Sequence, residues 1–284
     1  MSLSISPLTE ADLVETAEVL KLAYNVPYSR KDSLQLYLAL QPGGSFIARQ
    51  NDSVVGFGGA LDYGPFAYIG LMSVHPSKQK QGIGGLLLER LLSWLDARAC
   101  PTILLDASPA GAPLYTRYAF TEDDITVVMQ QTQHIPLPQH LPTGVSVLAE
   151  KDFPALVAFD APYFGVERGA VLAAYRDDNP GRLLVARDSS GSVAGYLIVQ
   201  TRVLGPWVAR TPEDAEHLLI HALALYTNES QSSVFVSAHN GAALQLLTRY
   251  GFSQQRDLRH MYKGKPVERS RRTAIFGQAS LGLG

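Results

Sequence analysis

The chain has 284 residues, a length at which two domains are the ordinary expectation, with 46% apolar and 18% charged residues and a formal net charge of −2. That composition excludes a largely disordered chain, and 24 basic against 26 acidic side chains leave no positive excess for a phosphate backbone, so nucleic acid is not an expected partner. A single cysteine cannot close an internal disulfide, no Cys/His grouping has zinc-ligand spacing, and neither a leader nor a run of ~18 apolar residues is present, so the expectation is a metal-free, cytoplasmic protein that meets no membrane.

In chain order, Leu13, Ala17, Leu20 and Tyr24 recur at helical spacing after Thr9-Glu10, which predicts a helix over 11–24. Phe46 to Ala48 and Val54 to Leu61 are β-rich runs joined by the hairpin signal Asn51-Asp52-Ser53, and Tyr68 to Val74 reads as another strand. After a glycine-rich stretch, Leu87, Leu88, Leu91, Leu92 and Leu95 mark a helix over 84–97. Thr102 to Leu105 is a buried strand, 112–118 a helix and Ile125 to Gln130 a strand. This order predicts a mixed α/β sheet. Pro136, Pro138 and Pro142 punctuate residues 131–143, which lack periodicity and divide the chain into domains of residues 1–132 and 143–284.

The second domain repeats the first. Thr116-Arg117-Tyr118-Ala119-Phe120 returns as Thr248-Arg249-Tyr250-Gly251-Phe252, and Leu8, Glu10 and Asp12 match Leu148, Glu150 and Asp152. Ala48-Arg49 with Val55-Gly56-Phe57 likewise matches Ala186-Arg187 with Ala194-Gly195-Tyr196. The offset drifts from 140 (Leu8 to Leu148) to 132 (Thr116 to Thr248), as short loop insertions and deletions require.

One copy alone carries the stretch Val74-His75-Pro76-Ser77-Lys78-Gln79-Lys80-Gln81-Gly82-Ile83-Gly84-Gly85 between a strand and a helix. Consecutive N–H groups at a helix start, with glycines that let an anion approach, form a phosphate loop. A nucleotide triphosphatase loop would end Gly-Lys-Ser/Thr, where this chain has Gly84-Gly85-Leu86. A dinucleotide fingerprint needs a glycine directly after the strand and a small residue where Leu87 stands. In the second copy three loop residues are missing, and Asp214 and Glu216 stand opposite Gly82 and Gly84, where acids repel a pyrophosphate.

Gln79-Lys80-Gln81-Gly82-Ile83-Gly84 after Val74-His75-Pro76, followed by Leu114-Tyr115-Thr116-Arg117-Tyr118-Ala119-Phe120, resembles the Gcn5-related N-acetyltransferase (GNAT) family, with Ala119 in place of its glycine. The resemblance implies two acyl-CoA N-acyltransferase-like folds in tandem, the second degenerate, and acetyl-CoA as co-substrate of the first. It implies that Met72, Ser73 and Val74 lie along the pantetheine arm, that Gln79, Lys80, Gln81, Gly82, Ile83, Gly84 and Gly85 hold the pyrophosphate, and that Ser108 also contacts the cofactor. Tyr115 matches the family's general-acid tyrosine. It faces Leu247 in the other copy, so packing and catalysis both remain open, whereas Tyr118 and Tyr250 recur and read as core. The strand before the loop, Tyr68 to Val74, lacks the glutamate many members carry; Asp106 is a candidate base acting through water, or a cap of the following loop. Cys100 reads as a packing residue.

Candidate acceptor contacts are Tyr28, Asp62, Asp160, Tyr163 and Arg168, aromatic and charged residues in loop-like segments that also suit an interdomain contact. The basic residues Lys263, Lys265, Arg269, Arg271 and Arg272 read as a solvated tail. The expected activity is acetyl transfer to the amine of a small polar molecule by a monomer or homodimer, with the second copy shaping the acceptor cleft. The alternative is a non-catalytic acyl-CoA sensor that uses the second copy to bind a partner.

Overall fold

The computed structural model of the protein describes residues 3–225, 232–267 and 271–284. The first copy runs β1 (Leu3–Pro7), α1 (Leu13–Tyr24), α2 (Lys31–Leu40), β2 (Ser45–Gln50), β3 (Ser53–Asp62), β4 (Ala67–Val74), α3 (Ile83–Asp96), β5 (Thr102–Ala107), α4 (Ala112–Arg117) and β6 (Thr121–Gln131). The expected mixed α/β sheet is present. Two elements go beyond the sequence reading. β1 is a five-residue edge strand whose ending at Pro7 keeps its signal short, and α2 begins Lys31-Asp32-Ser33, so few apolar residues mark its first turn.

Alternation along β2 explains the layering. Phe46 and Ala48 join the core under α3, while Ile47 joins the core under α1, so the two helices cover opposite faces of the sheet. β4 and β5 run parallel but pair only at Ala67↔Ile103 and Tyr68↔Leu104. Leu71, in the left-handed region at φ 55°, re-aims the far half of β4, which continues to Val74 with no parallel neighbour. A cleft therefore opens between the C-terminal ends of β4 and β5.

The second copy runs β7 (Val145–Val147), α5 (Phe153–Phe164), α6 (Gly169–Asp178), β8 (Leu183–Arg187), β9 (Val193–Val199), β10 (Leu204–Ala209), α7 (Pro212–Leu225), β11 (Ser233–Ser237), α8 (Gly241–Arg249), β12 (Phe252–Gly264) and β13 (Ile275–Gly277). It does not keep its strands to itself. The eight-stranded sheet has the order β1-β2-β3-β4-β5-β12-β6-β11, and the five-stranded sheet β13-β10-β9-β8-β7. Strand β12 thus lies antiparallel between β5 and β6, while β11 closes against β6. Each copy fills the sheet position that its counterpart would otherwise leave open. Val127 and Met129 of β6 accordingly belong to the second copy's core, and Met261 of β12 to the first copy's.

The segment after β13 is built into the same junction. Tyr37 Oη donates to the Gly282 carbonyl at 2.7 Å and Tyr63 Oη to that of Leu283 at 2.8 Å. A Cβ on Gly70 would stand 2.4 Å from Gly282 Cα, so glycine at both positions lets the two backbones touch.

Residues 1–142 produced alone should self-associate or precipitate, because β5 and β6 would both present unpaired edges, and adding residues 143–284 should restore a soluble complex. Size-exclusion chromatography and amide-proton dispersion check this; a folded, monomeric fragment would contradict the exchange.

Candidate active site

Beyond Val74 the chain makes one 3₁₀ turn, Pro76–Lys78, and the loop is tied down by its own side chains. Gln79 Nε2 donates to the Val74 carbonyl at 3.1 Å and Gln81 Nε2 to that of Ser77 at 3.4 Å. Lys80 at φ 61° and Gly82 at φ 84° are left-handed, which folds the backbone onto the start of α3. The N–H groups of Ile83, Gly84 and Gly85 open that helix and have no intrahelical acceptor. A Cβ on Gly82 would meet no atom within 4 Å, so the space in front of these amides is open. Ile83 is itself buried in the core and offers only its backbone N–H. The adjoining hollow between α3 and α4 is lined by Gly82, Gly85, Leu86, Glu89, Arg117 and Tyr118. The residues present therefore suit a diphosphate: several free amides, positive helix polarity and no side chain in the way.

The second copy offers no such cradle. At the start of α7, Thr211 Oγ1 donates to Asp214 Oδ2 at 2.7 Å while the Asp214 N–H donates back to Thr211 Oγ1 at 3.1 Å. Glu216 accepts from Tyr250 Oη at 2.7 Å and pairs with Arg249 at 3.2 Å. The helix start is capped by the Thr211 hydroxyl and carries Asp214 and Glu216 in its first turns, so an added anion would meet negative charge.

Tyr115, on α4 near the Ser108–Gly111 turn after β5, is 7% exposed and edge-on to Phe120 at 5.8 Å between ring centroids. Burial, and then the neighbouring Tyr24, push its phenol well above the usual value. Tyr24 Oη donates to the Met72 carbonyl at 3.2 Å, and burial holds its pKa up at about 12 against the lowering influence of Arg30 and Arg256. Ser73 is buried on β4 with its hydroxyl unpartnered. Ser108 turns the chain after β5, its Oγ accepting from the Gly111 N–H at 3.1 Å. Met72, Ser108 and Tyr115 are thus brought to one cleft, with the loop at the end of the same strand. Tyr118 packs half-buried against the first copy's core, and its hydroxyl donates to Glu89 at 2.6 Å, which raises its pKa.

Asp106 is enclosed rather than open to the cleft. Thr126 Oγ1 donates to Asp106 Oδ1 at 2.5 Å and Tyr68 Oη to Oδ2 at 3.1 Å, while His260 Nδ1 stands 3.1 Å from Oδ1. Its carboxylate and the His260 ring are both buried and join β4, β5, β6 and β12. That tethering leaves Asp106 neither reached from the cleft as a base acting through water would be nor bonded to the following loop as a cap would be.

Of the acceptor candidates, Tyr28 stands against two guanidinium groups, 5.6 Å from Arg30 and 4.2 Å from Arg202 at its ring centroid. Asp62 ends β3 at the opposite end of β4, paired with Ala67, and is committed to Arg98 at 2.7 Å and the Gly64 N–H at 2.8 Å. Asp160 and Arg168 form a buried bidentate ion pair, Nε–Oδ2 2.8 Å and Nη2–Oδ1 2.9 Å, with Tyr196 Oη donating to Oδ1 and the Gly284 carbonyl accepting from Arg168 Nη1. They build the junction and offer a substrate nothing. Tyr163 packs on Phe159 and under Arg271, also away from the cleft. Of the basic residues, Lys265 and Arg271 are exposed as a solvated tail would be, whereas Lys263 and Arg272 are engaged. Lys263 Nζ donates to the Tyr118 carbonyl at 2.9 Å, and Arg272 pairs with Asp123 and Asp124. Arg269 lies outside the described residues.

The residues near the stretch around Tyr28 that sequence did not single out are Arg202 and Arg256. Both come from the second copy, and only tertiary structure brings them near. Among the described residues no helix is long and apolar enough to span a membrane, and no group of three or more His, Cys, Asp or Glu side chains is placed to hold a metal.

Residues 13–120 match the acetyltransferase (GNAT) family and residues 156–277 a second acetyltransferase (GNAT) domain. Among solved structures, a Pyrococcus horikoshii protein assigned provisionally as an acetyltransferase superposes with a TM-score of 0.87 at 29% identity, covering 99% of this chain and 96% of its own. A GCN5-related N-acetyltransferase from Sphaerobacter thermophilus gives 0.71 at 17% identity, covering 94% and 97%. A tandem GNAT protein from the clavulanic acid biosynthesis pathway gives 0.63 at 17% identity, covering 94% and 100%. No curated protein matches the chain.

Gly82→Asp should abolish CoA binding by placing a carboxylate where the second copy already has one, and wild-type titration calorimetry should find one CoA per chain; two sites would refute the asymmetry. Arg168→Met, which leaves Asp160 buried without a partner, should lower stability by about 3–5 kcal/mol, read as a fall in the denaturant midpoint at unchanged slope.

Proposed function

Since the chain belongs to the GNAT acetyltransferases as two such domains in tandem, we propose that the first copy transfers the acetyl group of acetyl-CoA to an amine and that the second copy walls the acceptor side of the cleft. The observation that carries this reading is the contrast between the open Gly82 loop and the start of α7, capped by Thr211 and lined by Asp214 and Glu216.

Acetyl-CoA, when bound, supplies a thioester open to direct attack by an amine, so no covalent enzyme intermediate is needed. The amides of Gly82 to Gly85 hold the pyrophosphate, and the unpaired half of β4 offers its backbone to the pantetheine arm. Tyr115 would donate its proton to the thiolate as the C–N bond forms and the C–S bond breaks, the proton shed by the amine would pass to solvent, and solvent would return one to Tyr115. A buried, pKa-raised phenol keeps its proton across the physiological range and releases it only to a developing negative charge. Tyr24, bonded to the Met72 carbonyl, holds α1 against β4 beside that hydroxyl. The non-catalytic acyl-CoA-binding reading draws on the enclosure of Asp106, which leaves that carboxylate without access to an incoming ammonium group.

Tyr115→Phe keeps the ring and removes the hydroxyl. It should lower kcat by about 10²-fold with CoA affinity nearly unchanged, whereas Tyr118→Phe, which breaks only the Glu89 contact, should leave kcat within about twofold. Thiol release from acetyl-CoA against a panel of amines, amino acids, polyamines and aminoglycosides supplies the assay. Tight CoA binding with no turnover on any of them would favour the sensor.

A further inference from the structure

Two guanidinium groups converge on one aromatic ring where the copies meet. Arg30 Cζ lies 5.6 Å from the Tyr28 centroid and 5.0 Å from that of Tyr24, and Arg202 Cζ, from the loop after β9, lies 4.2 Å from Tyr28. Arg256 is near enough to act electrostatically on the Tyr24 hydroxyl, as Arg30 does. Arg49, Arg98, Arg168, Arg187 and Arg210 each stand within 4 Å of a carboxylate. Arg30, Arg202 and Arg256 have no such partner among the described residues, and Arg30 Nε is buried with no hydrogen-bond acceptor. Three like charges around two rings repel one another and leave planar donor forks unused, an arrangement that an anion completes.

Their position is as informative as their charge. Arg256, Leu258 and His260 share the face of β12 that meets Tyr68 and Asp106. Because Arg259 pairs with Ala107, the last residue of β5, Arg256 stands three residues beyond that strand, roughly 10 Å into the gap beside β4. Tyr24 and Arg30 approach from the α1 face, opposite the face covered by α3.

The geometry points to an acceptor that carries an anionic group, carboxylate or phosphate, held by Arg30, Arg202 and Arg256 while its amine reaches the Met72–Tyr115 end of the cleft. This rests on the acetyltransferase reading above and names its substrate class. Two of the three arginines come from the second copy, which gives that copy a direct part in acceptor selection.

The test is calorimetric titration of the CoA-saturated protein with inorganic phosphate and, separately, with glutarate. At least one anion should bind at one site per chain, and Arg202→Met and Arg256→Met should each weaken it by about tenfold or more, with Arg256→Lys intermediate. Preference for phosphate identifies a phosphorylated amine and preference for glutarate a carboxylated one. CoA affinity should be unchanged in all three variants, whose thermal midpoints confirm folding. Absence of binding by both anions up to about 20 mM, or binding that survives both methionine variants, would overturn the proposal. A tenfold loss of CoA affinity in Arg256→Met would also overturn it, because the arginines would then serve the cofactor's phosphates. Failure of the wild-type protein to bind CoA would strike the acetyltransferase reading instead, and the same titrations without CoA would still report on the arginines.

Discussion

The pairing of β5 with β12 governs the geometry at the cleft. Because Ile103 pairs with Lys263 and Asp106 with His260, the first copy's sheet is completed only by the second copy, and the two cannot rotate apart without breaking a ladder of backbone hydrogen bonds. The buried Asp106, His260, Tyr68 and Thr126 group sits on that seam, and the Asp160–Arg168 pair fixes the residues that follow β13 beside it. With the seam fixed, Arg202 and Arg256 hold constant positions relative to Met72 and Tyr115, which a flexibly tethered second domain could not provide.

Duplication followed by divergence has a physical record in the two helix starts. The same backbone corner appears after both final helices: Ala119 at φ 62° and Gly251 at φ 82° are both left-handed. A Cβ at Gly251 would stand 2.1 Å from the Gln133 carbonyl oxygen, so glycine is obligatory there, whereas the first copy accommodates alanine. Each copy also satisfies its Tyr118 or Tyr250 hydroxyl with a glutamate from the preceding long helix. The first uses Glu89, one turn beyond the loop, and the second uses Glu216, inside the position the loop would occupy. Moving that acid by about one turn puts a carboxylate near one helix start and leaves the other without one.

Much of this was legible in the sequence because its signals are local. Glycines at 82, 84 and 85, five leucines at helical spacing and the recurrent Thr-Arg-Tyr-x-Phe string each report on a stretch shorter than one element. Family membership and the mixed sheet followed from them. What sequence could not supply was pairing over distance. Asp106 reads equally as a base or a cap until β12 brings His260 against it. Asp160 and Arg168, eight residues apart in an aromatic loop-like stretch, read as surface chemistry until burial joins them. Asp62 followed a hairpin signal correctly placed but lies at the wrong end of β4, since alternation fixes the face of a strand and not its direction toward a site.

The exchanged strand also sets a timetable for synthesis. At about 5–20 residues per second, β12 leaves the ribosome roughly 8–30 s after β5 is complete, and during that interval the inner edge of β5 has no native partner. A nascent first copy must therefore wait with an apolar parallel–antiparallel edge exposed, in a state open to holdase chaperones and to pairing with neighbouring chains on the same polysome. Codon usage and ribosome pausing across the proline-rich connector would bear on the yield of this protein.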